Sequence, residues 1–280
     1  MIVIIIKAIA GIFSDDMLTL EYLRLLINNK VAVITGASKG IGESIARGLA
    51  EFGANVVISS RKQEAVDKVA SQFNSDGLSA IGIECHVAKE DQQKELIRKV
   101  MDKLGRIDIL INNAGTNPYF GPVDKMPLNL YQKTMDINVN SAISLSNLVY
   151  PIMKKQGGGS IIHVSSIEGI HPSKMMTAYN ISKASLIMLG NNQAIEWGKD
   201  NIRVNMICPG YVKTKLSAAL LEHEASYKSF LKNVPLGRVS TPDEMAGLAV
   251  FLASDASSYM TGSSIVNDGG LLHAPLIDNL

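Results

Sequence analysis

Short runs of β-branched and other apolar residues alternate with longer stretches of helical period along most of the chain. That alternation leaves few folds open. Val31–Thr35, Val56–Ser59, Ala80–Cys85, Ile107–Ile111, Ser160–Ser165, Ile202–Ile207 and Ser263–Val266 read as strands. They are apolar nearly throughout, as strands covered on both faces must be. Between them Ile41–Phe52, Gln63–Asn74, Asp91–Leu104, Asn129–Lys154, Thr177–Gly198 and Pro242–Leu252 read as helices. Strand then helix, repeated, gives right-handed crossovers and an α/β fold: a doubly wound parallel sheet with helices on both faces. At 280 residues and 46% apolar content, the chain can fill one large core, and no linker sets off a second domain.

The reading places an N-terminal extension at 1–28, one Rossmann-type domain at 29–274 and a tail at 275–280. Within the domain, 209–241 is longer than an ordinary connection and should carry short helices of its own, as binding loops often do. Met1 to Phe13 is apolar but too short to span a membrane. It lacks a basic start and a small-residue cleavage site, so no secretory signal is expected. Residues 1–16 keep two readings: non-native or disordered sequence ahead of a start at Met17, or an arm that packs on a neighbour. The net charge of +1, without charged blocks, argues against nucleic acid or an anionic membrane as partner. Cys85 and Cys208 sit in apolar runs, so a reduced, cytoplasmic protein is expected. The five histidines are scattered, and no metal site is expected.

After the first strand comes Thr35-Gly36-Ala37-Ser38-Lys39-Gly40-Ile41-Gly42, leading into a helix. Glycines let backbone N–H groups approach a pyrophosphate, and the helix N-terminus favours its charge. A purely structural strand-to-helix turn is the competing reading. The second strand ends in Ser60-Arg61-Lys62 with no acid, where an NAD-specific fold usually carries Asp or Glu for the ribose hydroxyls. Arg61, joined by Lys39, suits a 2′-phosphate and so NADP(H), unless Arg61 merely caps a surface turn. Tyr179 and Lys183 lie four apart on a helix and share a face. An ammonium beside a phenol lowers its pKa and equips it to hand a proton to a carbonyl. Ser165 and Ser166 end the fifth strand, at the edge where open parallel sheets build their sites.

As a set, Thr35-Gly36-x-x-x-Gly40-Ile41-Gly42, Asn112-Asn113-Ala114-Gly115, Asn138, Ser166, Tyr179-x-x-x-Lys183 and Pro209-Gly210 resemble the short-chain dehydrogenase/reductase family over about residues 29–270. The resemblance implies a seven-stranded sheet in the order 3-2-1-4-5-6-7. It implies a catalytic set of Asn138, Ser166, Tyr179 and Lys183, with Ser166 chosen over Ser165 because it precedes Tyr179 by thirteen positions. Asn138 would hold a water that links Lys183 to solvent. Lys183 would also grip the nicotinamide ribose. Gly36, Ser38, Lys39, Gly40, Ile41, Gly42, Ser60, Arg61, Lys62, Asn112, Ala114, Gly115, Pro209 and Gly210 would lie along the cofactor. Val212 would meet the nicotinamide amide, Thr214 would contact the cofactor beyond it, and Asn113 would brace the sheet. Many relatives place Asp and an apolar residue after the third strand to meet the adenine, so the resemblance puts His86 and Val87 along the cofactor as well. His86-Val87 stands there instead, and with Ser60-Arg61-Lys62 it is similar to an NADPH-dependent retinol dehydrogenase and carbonyl reductase branch. NADP(H) is therefore the expected cofactor, with NAD(H) admitted, and a homotetramer built on the two long helices is implied.

Substrate walls are expected from 117–121, 167–176 and 211–230, with Phe120, Met175 and Tyr211 as leading candidates, and Tyr119 and Met176 beside them. Such apolar, adaptable side chains suit a hydrophobic ketone or aldehyde. His171, His223 and Glu168 have either substrate or solvent to face. Three functions compete: a reductase of small or lipophilic carbonyls, a 3-oxoacyl-carrier-protein reductase or related sugar or polyol dehydrogenase, and a dinucleotide-binding regulator without catalysis. Lys213, Lys215 and Lys228 lend the carrier-protein reading modest support.

Overall fold

The structure is a computed structural model that describes residues 24–214, 217 and 224–273. Residues 1–16, Met17, Lys215, His223 and the tail 275–280 lie outside the described residues.

Among the described residues seven strands form one sheet. They are β1 (Val31–Thr35), β2 (Asn55–Ser60), β3 (Ala80–Glu84), β4 (Ile109–Asn112), β5 (Gly159–Val164), β6 (Ile202–Pro209) and β7 (Ser264–Asn267). Their order is β3-β2-β1-β4-β5-β6-β7, the one the resemblance implies, and every pairing is parallel, as the strand–helix alternation requires. The order in which strands are added reverses between β1 and β4, so a crevice opens beyond their carboxyl ends.

Successive strand residues point to opposite faces and enter separate cores. Ala32 and Ile34 of β1 pack with α1 (Gly40–Glu51), α2 (Gln63–Ser75) and α8 (Ala246–Ala253), through Ile45, Leu49, Phe73 and Val250. Val31 and Val33 pack on the other face with α3 (Glu90–Leu104), α5 (Ser141–Gln156) and α6 (Thr177–Trp197), through Leu96, Val100, Leu145 and Trp197. Between β6 and α8 lies α7 (Glu224–Leu231), inside the long connection.

The single helix expected over 129–154 is divided. It runs as α4 (Leu128–Met135), a π turn (Asp136–Asn140) and then α5. A π turn widens the helix by one residue and redirects the side chains on it. Here Asn138 and Val139 turn inward and are buried. No helix among the described residues is long and apolar enough to cross a membrane.

Candidate active site

Two adjoining spaces open at the carboxyl edge of the sheet. The larger is a cleft of about 870 Å³ over the glycine turn. The turn depends on Gly36 and Gly40, both in left-handed backbone at φ 65° and 63°. Asn113 pins it: its side-chain amide donates to the Thr35 carbonyl at 2.8 Å and to the Gly36 carbonyl at 3.3 Å. The Thr35 hydroxyl in turn accepts from the Asn113 and Ala114 amides, each at 3.1 Å. No side chain caps the first turn of α1, so its N–H groups are left for an anion.

Of the residues expected along a cofactor, Gly36, Ser38, Lys39, Gly40, Ser60, Arg61, Lys62, His86, Val87, Ala114, Gly115 and Thr214 border this cleft. Lys133 and Lys213 border it too, and sequence reading missed that role for both. No Asp or Glu among the described residues lines it. None of the five cations is ion-paired with another described residue. His86 shapes its own loop, where Nδ1 accepts from the Ala88 amide at 3.3 Å.

The smaller space, about 200 Å³, shares Asn113, Gly115 and Thr214 with the cleft. Ser166, Tyr179 and Lys183 face it, as do Ile41, Pro209, Gly210 and Val212. Two expected cofactor residues border neither space. Gly42 lies behind the turn, where a Cβ would run into the Asn113 amide and come within 2.7 Å of the Gly36 carbonyl oxygen. Asn112 is buried beneath the sheet edge, its amide 3.2 Å from both the Ser146 hydroxyl and His163 Nδ1.

The structure separates the two serines. The Ser165 hydroxyl donates to the Lys183 carbonyl at 2.7 Å and so ties β5 to α6. The Ser166 hydroxyl accepts from the Glu168 amide at 3.1 Å, which leaves its own hydrogen to donate. Lys183 Nζ donates to the Val164 carbonyl at 2.7 Å and lies 5.5 Å from the centre of the Tyr179 ring. Asn138 stands one layer back, held to Thr116 by two bonds, at 2.8 and 3.0 Å, and to the Ser182 hydroxyl at 2.9 Å. Gly115 keeps the space between them open: a Cβ there would lie 3.6 Å from both Asn138 Oδ1 and Lys183 Nζ.

One expectation needs correction. The lysine does not lower the phenol. Burial pushes Tyr179 up to about 12, and the Glu168 charge adds to that, while the Ser166 hydroxyl works the other way. Burial likewise pushes Lys183 down to about 8. A space of low polarity favours the neutral form of both groups, and burial is the largest cause for each.

On the substrate side, Tyr211 borders the smaller space and packs edge-on against Phe230, ring centres 4.5 Å apart. Phe120 and Met175 do not border it. Phe120 is 70% exposed. Met175 sits in left-handed backbone at φ 71°, and its neighbour Met176 faces the space instead. His171 is exposed and lies outside both spaces. Glu168 and Asn117 line the smaller space.

A family model described as enoyl-(acyl carrier protein) reductase matches residues 36–272. The chain is similar to dehydrogenase/reductase SDR family member 4 of Homo sapiens, 41% identical over 242 residues that cover 86% of this chain and 87% of that protein. The Caenorhabditis elegans protein of the same name is 40% identical over 246 residues, 86% of this chain and 95% of that one. Among solved structures, a gluconate 5-dehydrogenase from Burkholderia cenocepacia in complex with NADP and tartrate superposes with a TM-score of 0.88 at 33% identity, covering 91% of this chain and 99% of that one. A 7α-hydroxysteroid dehydrogenase complexed with NADH and 7-oxo glycochenodeoxycholic acid superposes with a TM-score of 0.84 at 35% identity, covering 88% and 96%.

Proposed function

The chain belongs to the short-chain dehydrogenase/reductase family, an NAD(P)-dependent oxidoreductase family, and on that premise we propose that it reduces small or lipophilic ketones and aldehydes with NADPH. The observation that carries the cofactor preference is the cleft bordered by five cations and no carboxylate. Arg61, Lys39 and Lys62 would take the 2′-phosphate, the turn from Gly36 to Gly42 and the start of α1 the pyrophosphate, and His86 and Val87 the adenine side. Ala114 and Gly115 would run beside the cofactor. Lys183 would meet the nicotinamide ribose, and Pro209, Gly210, Val212 and Thr214 the nicotinamide end. Bound NADPH supplies a hydride.

The protein's part is to hold the carbonyl and deliver a proton. The Tyr179 phenol, held up to about 12, keeps its proton at neutral pH and is in the form a general acid needs. The free hydrogen of Ser166 donates to the same carbonyl oxygen and stabilises the charge that develops on it. Lys183, at about 8, is mostly protonated at neutral pH and restores the phenol's proton, with Asn138 behind it on the path to solvent. Ile143 of α5 and Ile181, Met188 and Ile195 of α6 are exposed, which supports packing of these helices against further copies in a homotetramer. Cys85 and Cys208 are free and buried, which fits a cytoplasmic, reducing setting.

Loss of reduced-nicotinamide absorbance, followed with NADPH and NADH over a panel of ketones and aldehydes, tests this reading. Tyr179→Phe should still bind NADPH and lose turnover by at least about 100-fold. Full activity in that variant would refute the assigned acid.

A further inference from the structure

The carbonyl-binding space contains a carboxylate that the chemistry above does not use. Glu168 is 6% exposed, yet it borders the space beside Ser166 and Tyr179. Its position is fixed from one side. The Ser173 amide donates to Oε2 and the Ser173 hydroxyl to Oε1, each at 2.8 Å. A carboxylate has about four acceptor sites, so each oxygen keeps capacity for another donor. No described cation pairs with it. Among the described residues the one ammonium bordering the space, Lys183, is committed to the Val164 carbonyl.

A second acceptor borders the same space. Asn117 Oδ1 is buried and has no hydrogen-bond partner. A buried acceptor left unpaired is costly, and a ligand that supplies a donor relieves that cost. Among the other described walls, Ile167, Met176 and Val212 offer no polar atom from their side chains and Ser217 donates to the Val212 carbonyl, while the Tyr211 hydroxyl can either donate or accept. Among the described residues, the one charged group left uncommitted for a substrate beyond its carbonyl is therefore an acceptor.

Resting on the reductase reading, we propose that Glu168, with Asn117, sets substrate choice: the site takes carbonyl compounds that carry a hydroxyl or ammonium donor near the carbonyl, and turns away those that carry a carboxylate there. A hydroxyl donates to either acceptor and satisfies it. A carboxylate brings no donor, and it meets a fixed like charge inside a space of only about 200 Å³. Like charges held together away from water repel far more strongly than at a surface. Specificity then comes from a repulsive element as much as from an attractive one.

The test uses four ketones on one carbon skeleton: unsubstituted, and bearing a hydroxyl, an ammonium or a carboxylate at the position next to the carbonyl. The quantity read is kcat/KM for each, divided by that of the unsubstituted ketone in the same protein, so that a general loss of activity cancels. Wild type should prefer the hydroxyl and ammonium compounds over the keto acid. Glu168→Gln should raise the relative value for the keto acid at least about tenfold and lower that for the ammonium compound. Asn117→Ala should lower the relative value for the hydroxyketone. An unchanged or falling ratio for the keto acid in Glu168→Gln overturns the proposal. Should that variant fail to fold, wild type decides through competitive inhibition by a carboxylic acid and by its primary amide. Tighter inhibition by the amide supports the proposal, and equal or tighter inhibition by the acid overturns it. Absence of turnover by wild type with every carbonyl tried would instead overturn the reductase reading, and this inference with it.

Discussion

Replacing Arg61 separates the two cofactors more sharply than any other single change. Arg61 borders the cleft, is exposed, and has no acidic partner among the described residues, so its guanidinium is available to a ligand. A hydrogen bond to a charged group contributes about 1.5–3 kcal/mol. Solvent screening at an exposed site puts Arg61 at the low end of that range. Lys39 and Lys62 border the same cleft and retain part of the attraction when Arg61 is lost. A loss of about 1.4 kcal/mol for Arg61→Ala, or about tenfold in NADPH affinity, follows. Arg61→Asp adds repulsion to the loss and should reach about 100-fold. NADH lacks the 2′-phosphate and should be affected little by the alanine. Binding measured by nicotinamide fluorescence, and kcat/KM measured with both cofactors, give the ratio directly. The NADPH advantage should also shrink as salt is raised, because the cations involved are exposed. Equal losses for both cofactors, or an undiminished NADPH preference in Arg61→Asp, would refute the assignment of this end of the cleft to a phosphate.

Three further outcomes follow from the site. Burial holds the folded Lys183 at about 8 against 10.5 for the ordinary amine, so the folded state binds fewer protons between these values and stability rises with pH across that window. The rise is at most about 3 kcal/mol. Lys183→Met should remove it in denaturant titrations between about pH 8 and 10, below the range in which Tyr179 acts in the opposite sense; an undiminished rise would contradict a buried, desolvated amine. Ser165→Ala should cost about 1 kcal/mol of stability with turnover nearly kept, while Ser166→Ala should lose about 100-fold in kcat with little change in stability; the reverse pattern would exchange their roles. Gly42→Ala brings a Cβ to within 2.7 Å of the Gly36 carbonyl and onto the Asn113 amide. It should destabilise by about 1–3 kcal/mol, read as a lowered melting temperature. Wild-type stability in that variant would mean the turn moves freely.

Features carried by neighbouring residues were legible from the start. The glycine turn, its helix, and the Tyr179–Lys183 spacing are local patterns, and local backbone preference is enough to place them. Where adjacent residues of one type stood as candidates, only the resemblance to a family, not the local pattern, favoured one of them. Ser165 and Ser166 are alike until the Lys183 carbonyl arrives on another element to occupy one of them. Met175 and Met176 differ only in that a left-handed turn at the first brings the second to the cavity. The π turn beneath Asn138 has no periodic signature, because one extra residue in a helix leaves the apolar spacing on either side intact. Nothing in the sequence marked Lys133 or Lys213 for the cofactor; they become part of its cleft because α4 and the segment after β6 converge on the rim.

The alternation of buried strands and helices determined the layers, and with them the edge of the sheet where a site forms, because every unit repeats the same two periods. The state that charged and polar groups take at that site was decided by tertiary structure. An ammonium, a phenol and a carboxylate take their character from what surrounds them, and here that surrounding comes from segments far apart in the chain. The neutral, proton-holding Tyr179 and the fixed Glu168 beside it are therefore properties of the folded cavity, and no pattern along the sequence carries them.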